Sequence, residues 1–529
     1  MNGLYYGDNL HVLREHLAKE SVDLIYLDPP FNSKRDYNLL FKSPKGHASE
    51  AQIEAFKDSW QWGGQAEREF DELLHQANTN VAGMMRALRE YLGENDMMAY
   101  LTMMANRLLE LHRVLKPTGS LYLHCDPTAS HYLKVVLDGV FGFAHYRNEI
   151  IWKRSNPKSH ATINFTTCSD TIFRYTKSDQ FTFHQPYAAH DPDYVESAYR
   201  YADEKGQYRL LPLLNPNDNR PNLTCEFLGV TRVWRWTRTR MNQALADGLI
   251  VQTKPGAVPQ YKKYLEDSKG RTVTNVWTDI EQAGGNESLG YPTQKPLALL
   301  ERIIAASSNE GDVVLDPFCG CGTAVHAAQK LKRGWIGVDI THLAISLIEK
   351  RLKDAFGRRC KFDIHGTPGD LDAARDLAAR DKYQFQWWAV SLVEAQPFMG
   401  KKKGADGGVD GLKFFHDVDK QGSRKIVVSV KGGGLKADDV RAINYVRERE
   451  GAEIALFISL EAPTKGMTAD AVSAGFYESV AGKKFPRVQL LTIEGLLAKT
   501  QRAEHPDHQP DLNFKKAKAE SDTQQKGLI

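Results

Sequence analysis

The sequence has few cysteines, no long apolar run and no excess of charge of one sign, and each absence excludes a class of protein. Six cysteines are scattered over 529 residues, which excludes a disulfide framework and indicates a reducing compartment. No apolar run approaches the length of a membrane span and no signal peptide is seen, so we expect a cytoplasmic protein without membrane contact. The net charge of +3 means that any surface for nucleic acid must be a local patch.

An acidic, proline-rich motif closes the first predicted core strand. The apolar run 22–27 predicts a buried strand, which is followed by Asp28, Pro29, Pro30 and Phe31. Proline has no N–H and fixes φ, so the strand ends there and its carbonyl groups stay free to face a ligand. A carboxylate, a free carbonyl and an aromatic ring suit a site that holds an amine. An ordinary strand-to-loop turn explains the same residues when they are taken alone.

A second motif predicts a pocket for a nucleoside-type cofactor. A predicted strand ends in Asp316, a loop with Gly320 and Gly322 follows, and the next strand ends in Asp339, 23 positions after Asp316. Glycines let the backbone approach a ligand, and an acid about 20 residues beyond such a loop holds ribose hydroxyls in βαβ units. A purely structural βαβ turn is the alternative. Asp8 likewise has two open uses, as a ligand at the end of strand 4–6 or as a helix N-cap.

The stretch 155–285 differs in texture from the alternating strands and helices on either side. It is rich in polar loops, and residues 233–240 interleave three arginines with Trp234 and Trp236. Arginine forks suit phosphates and guanine edges, and aromatic rings suit unstacked bases. An amphipathic strand with tryptophan in the core and arginine in solvent is equally compatible with this pattern.

Taken together, the motifs 28–31 and 316–322, with 148–153 and 291–296, resemble those of the beta-ordered amino-methyltransferases that act on DNA bases. The resemblance covers roughly residues 4–355. It implies a Rossmann-like α/β methyltransferase domain over 1–355 with a mostly parallel sheet, S-adenosylmethionine as cofactor and double-stranded DNA as substrate. It also implies a target-recognition region at about 155–285 and a place in a restriction-modification system.

The same resemblance assigns roles to individual residues. The Asp28 carboxylate and the Pro29 carbonyl would hold the amine of a flipped-out base, Phe31 would stack on the base, and no metal is needed for this step. Family habit favours adenine N6 when the motif begins with Asp, and cytosine N4 is the alternative. The implied catalytic residues are Asp28, Pro29, Pro30 and Phe31, and the implied cofactor-binding residues are Asp8, Thr293, Lys295, Asp316, Phe318, Gly320, Gly322 and Asp339.

Residues 369–500 resemble the restriction-endonuclease fold of the Mrr-like kind, a smaller α/β domain, on the residues 407–411 and a strand ending at Lys431. This resemblance implies a magnesium-dependent nuclease site with Asp410, Lys431 and the helix-borne acid Glu394. Ser429 stands where the pattern has Glu, Asp or Gln. Two alternatives therefore remain open, a chain that both methylates and cuts DNA, and a domain that binds DNA or assists assembly without cutting.

The sequence leaves other aspects of the chain as broad expectations. We expect the charged tail 503–529 to be disordered. The expected partners beyond DNA are a second copy of the chain, through helices of 46–115, or a restriction subunit. A DNA-binding protein with an inactive methylase site is the remaining alternative function, and the intact motifs argue against it.

Overall fold

The computed structural model of the protein describes residues 2–30, 36–42, 48–57, 61–156, 163, 165–285, 287–289, 291, 293–398, 408–417, 423–506 and 517–520. These residues form two compact units, one from 2–184 with 275–520 and the other from 185–274. Within the described ranges, no helix is both long enough and apolar enough to cross a membrane.

The first unit alternates strands and helices from its start. Its elements before the second unit are β1 (Asn2–Tyr6), α1 (Asn9–His16), β2 (Val22–Leu27), β3 (Asp36–Lys42), β4 (Ala48–Lys57), α2 (Gly64–Leu74), α3 (Thr79–Leu92), α4 (Asp96–Val114), β5 (Leu115–Cys125), α5 (Ser130–Phe141), a 3-10 helix (Phe143–His145), β6 (Tyr146–Lys153) and β7 (Ser169–Thr176).

The second unit is made of short elements joined by loops, as the polar texture of its sequence indicates. They are β8 (Tyr187–Ala188), α6 (Pro192–Ala198), β9 (Tyr201–Asp203), β10 (Gly206–Pro212), a 3-10 helix (Pro221–Leu223), β11 (Thr224–Phe227), β12 (Val230–Val233), α7 (Arg238–Ala246), β13 (Ile250–Val251), β14 (Gln260–Tyr264) and β15 (Arg271–Thr272).

The chain then returns to the first unit and completes its main sheet. The elements are β16 (Val276–Trp277), α8 (Leu297–Ser307), β17 (Val313–Asp316), α9 (Thr323–Lys330), β18 (Gly334–Asp339), α10 (His342–Phe356), a 3-10 helix (Gly357–Arg359) and β19 (Asp363–His365).

Nine strands form this sheet, in the order β16-β6-β7-β5-β2-β17-β18-β1-β19. Its antiparallel pairs are β5 with β7 and β6 with β7, and the other pairs are parallel. The expected mostly parallel α/β sheet is confirmed. β2 lies beside β17, with Ile25 opposite Leu315, so the sheet joins the two sequence motifs.

A second, smaller sheet follows in the C-terminal part of the same unit. The elements of this part are α11 (Leu371–Arg380), α12 (Lys382–Ser391), β20 (Gln396–Pro397), β21 (Gly411–Phe415), β22 (Arg424–Lys431), α13 (Asp438–Arg449), β23 (Ile454–Ser459), α14 (Lys465–Ser473), β24 (Phe476–Glu478), β25 (Lys484–Pro486), β26 (Val488–Thr492) and α15 (Ile493–Leu497). The strand order of the sheet is β20-β21-β22-β23-β26, with two antiparallel pairs followed by two parallel ones.

One expectation about local structure is wrong. The composition of 41–115 favours helix throughout, but β3 and β4 form an antiparallel pair before the first long helix. The segment Ala48–Lys57 is rich in helix-forming residues. Pairing with another strand overrides that weak local preference.

Candidate active site

Four aspartates lie at one edge of the main sheet because neighbouring parallel strands end there. Asp8 and Asp28 follow the ends of β1 and β2, and Asp316 and Asp339 are the last residues of β17 and β18. The carboxyl edge of a parallel sheet is where α/β folds place their ligands. All four side chains line one cavity of about 380 Å³.

The Asp28 carboxylate has two different environments for its two oxygens. Oδ2 is bound by the Lys295 ammonium. Oδ1 is buried and has no hydrogen-bond partner among the described residues. Since an unpaired buried acceptor is costly, Oδ1 is suited to accept a hydrogen bond from a ligand in the cavity.

Backbone amides of the glycine loop fix the other two carboxylates. Asp316 Oδ1 accepts the Phe318 amide at 3.1 Å, and Asp339 Oδ2 accepts the Gly320 amide at 3.0 Å. The Thr341 amide and hydroxyl both donate to Asp339 Oδ1 at 2.9 Å. The loop and the end of β18 are thereby held in one arrangement.

The two glycines of the loop do different work. Gly320 has φ +49° and lines the cavity, where an added Cβ would lie 3.3 Å from the Tyr291 ring. Gly322 has φ +74° and precedes α9, and an added Cβ would lie 2.7 Å from Ile348. Gly322 is not among the residues that line the cavity. Gly320 therefore shapes the ligand surface, and Gly322 lets the loop pack against α10.

The charge in this cavity favours a cationic ligand. Burial raises the pKa of Asp316 well above its usual value, and the charges of Asp28 and Asp339 add to the rise. Burial also raises the pKa of Asp339 to about 6, although the bonds from Thr341 and Gly320 oppose it. A positive group in the cavity would relieve this repulsion and stabilise the ionised carboxylates.

Asp8 serves as a helix cap and also lines the cavity, so both uses that the sequence left open are present. Its Oδ1 accepts the amide of Leu10 at 2.8 Å, and its Oδ2 accepts the guanidinium of Arg107 at 2.9 Å. Arg107 also donates to Asn9 Oδ1 at 2.6 Å, and Asn9 Nδ2 donates to the Pro317 carbonyl at 2.8 Å. This buried network ties α1, α4 and the glycine loop together.

The cavity unites most of the residues that the sequence singled out. Phe31 lies outside the described residues, and Gly322 lies behind the loop. The remaining members of the predicted set all line the cavity, and they are Asp8, Asp28, Pro29, Pro30, Thr293, Lys295, Asp316, Phe318, Gly320 and Asp339.

Sequence reasoning missed a buried polar line that runs across the sheet from the cavity. Tyr26 lines the cavity, and its hydroxyl lies 3.0 Å from His124 Nδ1. His124 Nε2 lies 3.2 Å from Asp170 Oδ2, and Asp170 Oδ1 lies 3.4 Å from Arg154 Nε. Burial alone would raise the pKa of Asp170, but the His124 bond and nearby positive charges hold it below its usual value. The only available signal was the polar residues within apolar strands.

The residues expected to form a nuclease site are engaged with the protein itself. Asp410 Oδ2 accepts the Val430 amide at 2.7 Å and lies 3.3 Å from the Ser429 hydroxyl. Lys431 Nζ lies 3.2 Å from Asp439 Oδ1. Ser429 and Lys431 are two positions apart on β22, so they share one face of the sheet. On that face Ser429 stands where a second carboxylate would complete a metal site with Asp410.

Glu394 does not occupy the helical position expected of it. It follows the end of α12 with φ +54°, and its carboxylate lies 3.6 Å from Lys413 Nζ. No group of three or more Asp, Glu, His or Cys side chains placed to hold a metal ion occurs in the described part of the chain. The described residues therefore do not fit a magnesium site.

Comparison with known proteins places this geometry in a family. The N6_N4_Mtase family model, described as DNA methylase, matches residues 22–350, more than half of the chain. This chain belongs to the DNA methylase family. M.EcaI of Enterobacter cloacae, a type II methyltransferase, is 33% identical over 416 residues, which are 77% of this chain and 81% of M.EcaI.

Two more distant relatives extend the comparison. The Mod subunit of the type III restriction-modification enzyme StyLTI of Salmonella typhimurium is 28% identical over 351 residues, or 61% of this chain. This chain spans 49% of that subunit's length. The structure of a DNA modification methylase from Thermus thermophilus complexed with S-adenosyl-L-methionine is 16% identical, covers 70% of this chain and 100% of that one, and has a TM-score of 0.35.

Membership of the family makes the protein a DNA modification methyltransferase of the kind found in restriction-modification systems, with S-adenosylmethionine as methyl donor. The cavity suits that donor, because its sulfonium and ammonium groups are cationic and the cavity carries four aspartates. The glycine loop also gives the close backbone approach that a nucleoside ligand needs.

Proposed function

We propose that this protein is a site-specific, beta-ordered DNA methyltransferase that modifies the N6 amine of adenine at the motif Asp28 to Phe31. The buried Oδ1 of Asp28 carries the proposal, since it lines the cavity with no partner among the described residues. An exocyclic amine supplies the missing donor. Lys295 on Oδ2 keeps the carboxylate oriented while Oδ1 binds the amine.

The chemistry of the amine explains why these residue types are needed. The amine is a poor nucleophile because its lone pair is delocalised into the ring. Hydrogen bonds to the Asp28 carboxylate and the Pro29 carbonyl draw the nitrogen towards tetrahedral geometry and aim its lone pair at the donor, which supplies the methyl group. These residues act by positioning and electrostatics. The base must flip out of the duplex to reach them, and stacking on Phe31 remains a prediction.

The same cavity would hold the donor through its acidic edge. We assign the ribose hydroxyls to Asp339, and the methionine end to the loop that begins at Asp316. Asp8 is assigned to the adenine amine of the donor. Thr293 and Lys295 border the pocket, while Gly320 and Phe318 form its wall.

Adenine is proposed over cytosine because the motif begins with Asp. Purified protein, labelled S-adenosylmethionine and unmethylated DNA test this, followed by nucleoside analysis. We expect label in N6-methyladenine, and a loss of about 10²-fold or more in Asp28→Asn. Label in N4-methylcytosine would replace the target base, and equal incorporation by the variant would remove Asp28 from the site.

The second unit, 185–274, lies inside the stretch proposed to recognise the DNA sequence. Its Arg240 guanidinium lies 4.5 Å from the centre of the Trp236 ring, while Trp234 is buried. Trp234 thus belongs to the core, and Arg240 with Trp236 is the pair that we propose for DNA contact. We further propose a cytoplasmic protein, and a restriction subunit as its partner, in keeping with the relative named as a Mod subunit.

We propose that the C-terminal part, 369–500, has a restriction-endonuclease-like fold and binds DNA or a partner without cutting. The support is chemical. Ser429 is a poor magnesium ligand, and Asp410 is already bound by the Val430 amide. Methylation, not cleavage, is then the activity of the chain.

A further inference from the structure

A line of buried hydrogen bonds connects the C-terminal end of the chain to the glycine loop. Glu520 Oε1 lies 3.1 Å from Nε2 of His326 on α9. The Nδ1 atom of His326 accepts Nε of Arg351 on α10 at 3.2 Å. His326 and Arg351 are both buried. The line therefore passes through the interior between the two helices.

The proton positions along this line follow from the chemistry of its members. Burial lowers the pKa of His326 to about 4, so the ring is neutral near pH 7 and carries a single N–H. Arginine can only donate, so Nδ1 of His326 is the acceptor and Nε2 carries the proton. That N–H donates to the Glu520 carboxylate. The carboxylate thus fixes the tautomer that Arg351 needs.

The other end of the line reaches residues that line the cavity. Arg351 Nη1 donates to the Cys321 carbonyl at 3.1 Å and to the Thr323 hydroxyl at 3.1 Å. Cys321 and Thr323 both line the cavity. They flank Gly322, which has no side chain to restrain the backbone. The guanidinium supplies the restraint that this part of the loop lacks.

Glu520 is itself anchored, although it follows the C-terminal domain in sequence. Its backbone amide donates to the Ala355 carbonyl at 2.9 Å, and its Oε2 lies 3.5 Å from Lys330 Nζ. Ala517 is 7% exposed. Residues 517–520 therefore dock against α9 and α10, the helices that support the glycine loop.

We propose that Arg351 is a positioning residue for the cofactor loop, residues 319–323, and that Glu520 completes it through His326. Docking of the segment 517–520 and binding of S-adenosylmethionine then strengthen each other, because both require the same loop conformation. The inference rests on the assignment of this loop to the methyl donor.

Calorimetric titration of the full chain with S-adenosylmethionine tests the inference without relying on turnover. We expect Glu520→Gln to raise the Kd about fivefold to tenfold, as for a lost hydrogen bond to a charged group. Arg351→Met should raise it further, and Arg351→Lys should restore part of the loss. DNA binding in the absence of the donor should not change. Asp354→Asn is the matched control, since Asp354 pairs with Lys350 on the same helix at 2.9 Å, outside the line.

The outcomes distinguish a failure of the inference from a failure of the proposed function. Wild-type affinity in both Glu520→Gln and Arg351→Lys would overturn the inference, as would an equal loss in Asp354→Asn. Glu520→Gln keeps the test decisive if Arg351→Met does not fold, because the Glu520 side chain is partly exposed. A wild-type protein that does not bind the donor would overturn the assignment of the loop, and the inference with it.

Discussion

The ammonium of Lys295 binds the carboxylate of Asp28 across 267 positions of sequence. Both side chains are largely buried. Removing one partner of such a pair leaves a buried charge uncompensated, which typically costs about 3–5 kcal/mol. We expect Lys295→Met to lower the free energy of unfolding by an amount near the lower end of this range and to abolish most methyl transfer.

The double variant Lys295→Met with Asp28→Asn separates stability from chemistry. It removes both charges, so most of the stability should return, whereas methyl transfer should stay lost because the acceptor carboxylate is gone. Urea unfolding and single-turnover methylation measure the two effects. A double variant less stable than Lys295→Met would contradict the role given to the ion pair.

The two loop glycines should respond differently to alanine. Gly322→Ala places a Cβ 2.7 Å from Ile348 and keeps a left-handed φ, so we expect a loss of about 1–3 kcal/mol in stability. Gly320→Ala meets only the Tyr291 ring at 3.3 Å but stands in the cavity. It should weaken donor binding about tenfold or more with a smaller fall in melting temperature. Calorimetry on both variants checks the order, and a reversed order would refute it.

The sequence predicted the parts of the site that sit at strand ends. Asp28, Asp316 and Asp339 each follow an apolar run, and the period of the pattern places them at one edge of a parallel sheet. Arg107 and Arg351 carried no such signal, because a single arginine within a helix usually faces solvent. Their partners lie far away in sequence, as Asp8 does from Arg107, and only the packing of the helices brings them together.

The hairpin of β3 and β4 shows the same limit at the level of secondary structure. Its second strand, Ala48–Lys57, has the composition of a helix. Pairing with Asp36–Lys42 decides its conformation. Local propensity is worth a few tenths of a kcal/mol per residue, so partners that are distant in sequence can override it.

The C-terminal sheet should not cut DNA. Since Asp410 is bound by the Val430 amide and Ser429 replaces an acid, we expect no magnesium-dependent cleavage of unmethylated DNA by the wild-type protein. Lys431→Ala should leave methylation unchanged. Gel analysis of plasmid DNA with magnesium, with and without S-adenosylmethionine, provides the measurement. Cutting that disappears in Lys431→Ala would establish the bifunctional alternative.

Acid should destabilise the protein through histidines that are buried and neutral. Burial lowers the pKa of His112 and of His326 to about 4, and the pKa of His342 to about 3. The unfolded chain binds these protons near pH 6.5, and the folded chain does not. Stability is therefore full above about pH 6.5 and falls towards pH 4, by about 1.4 kcal/mol per pH unit for each histidine.

His342→Phe isolates one of these contributions. The ring of His342 stacks on Tyr6 at 3.7 Å, and phenylalanine keeps that contact without titrating. Asp316 and Asp339 have raised pKa values and act in the opposite direction, but they are common to both proteins. We expect the melting temperature of the wild type to fall more steeply between about pH 7 and pH 5 than that of the variant. Parallel slopes in calorimetric scans would show that His342 takes up its proton in the folded protein.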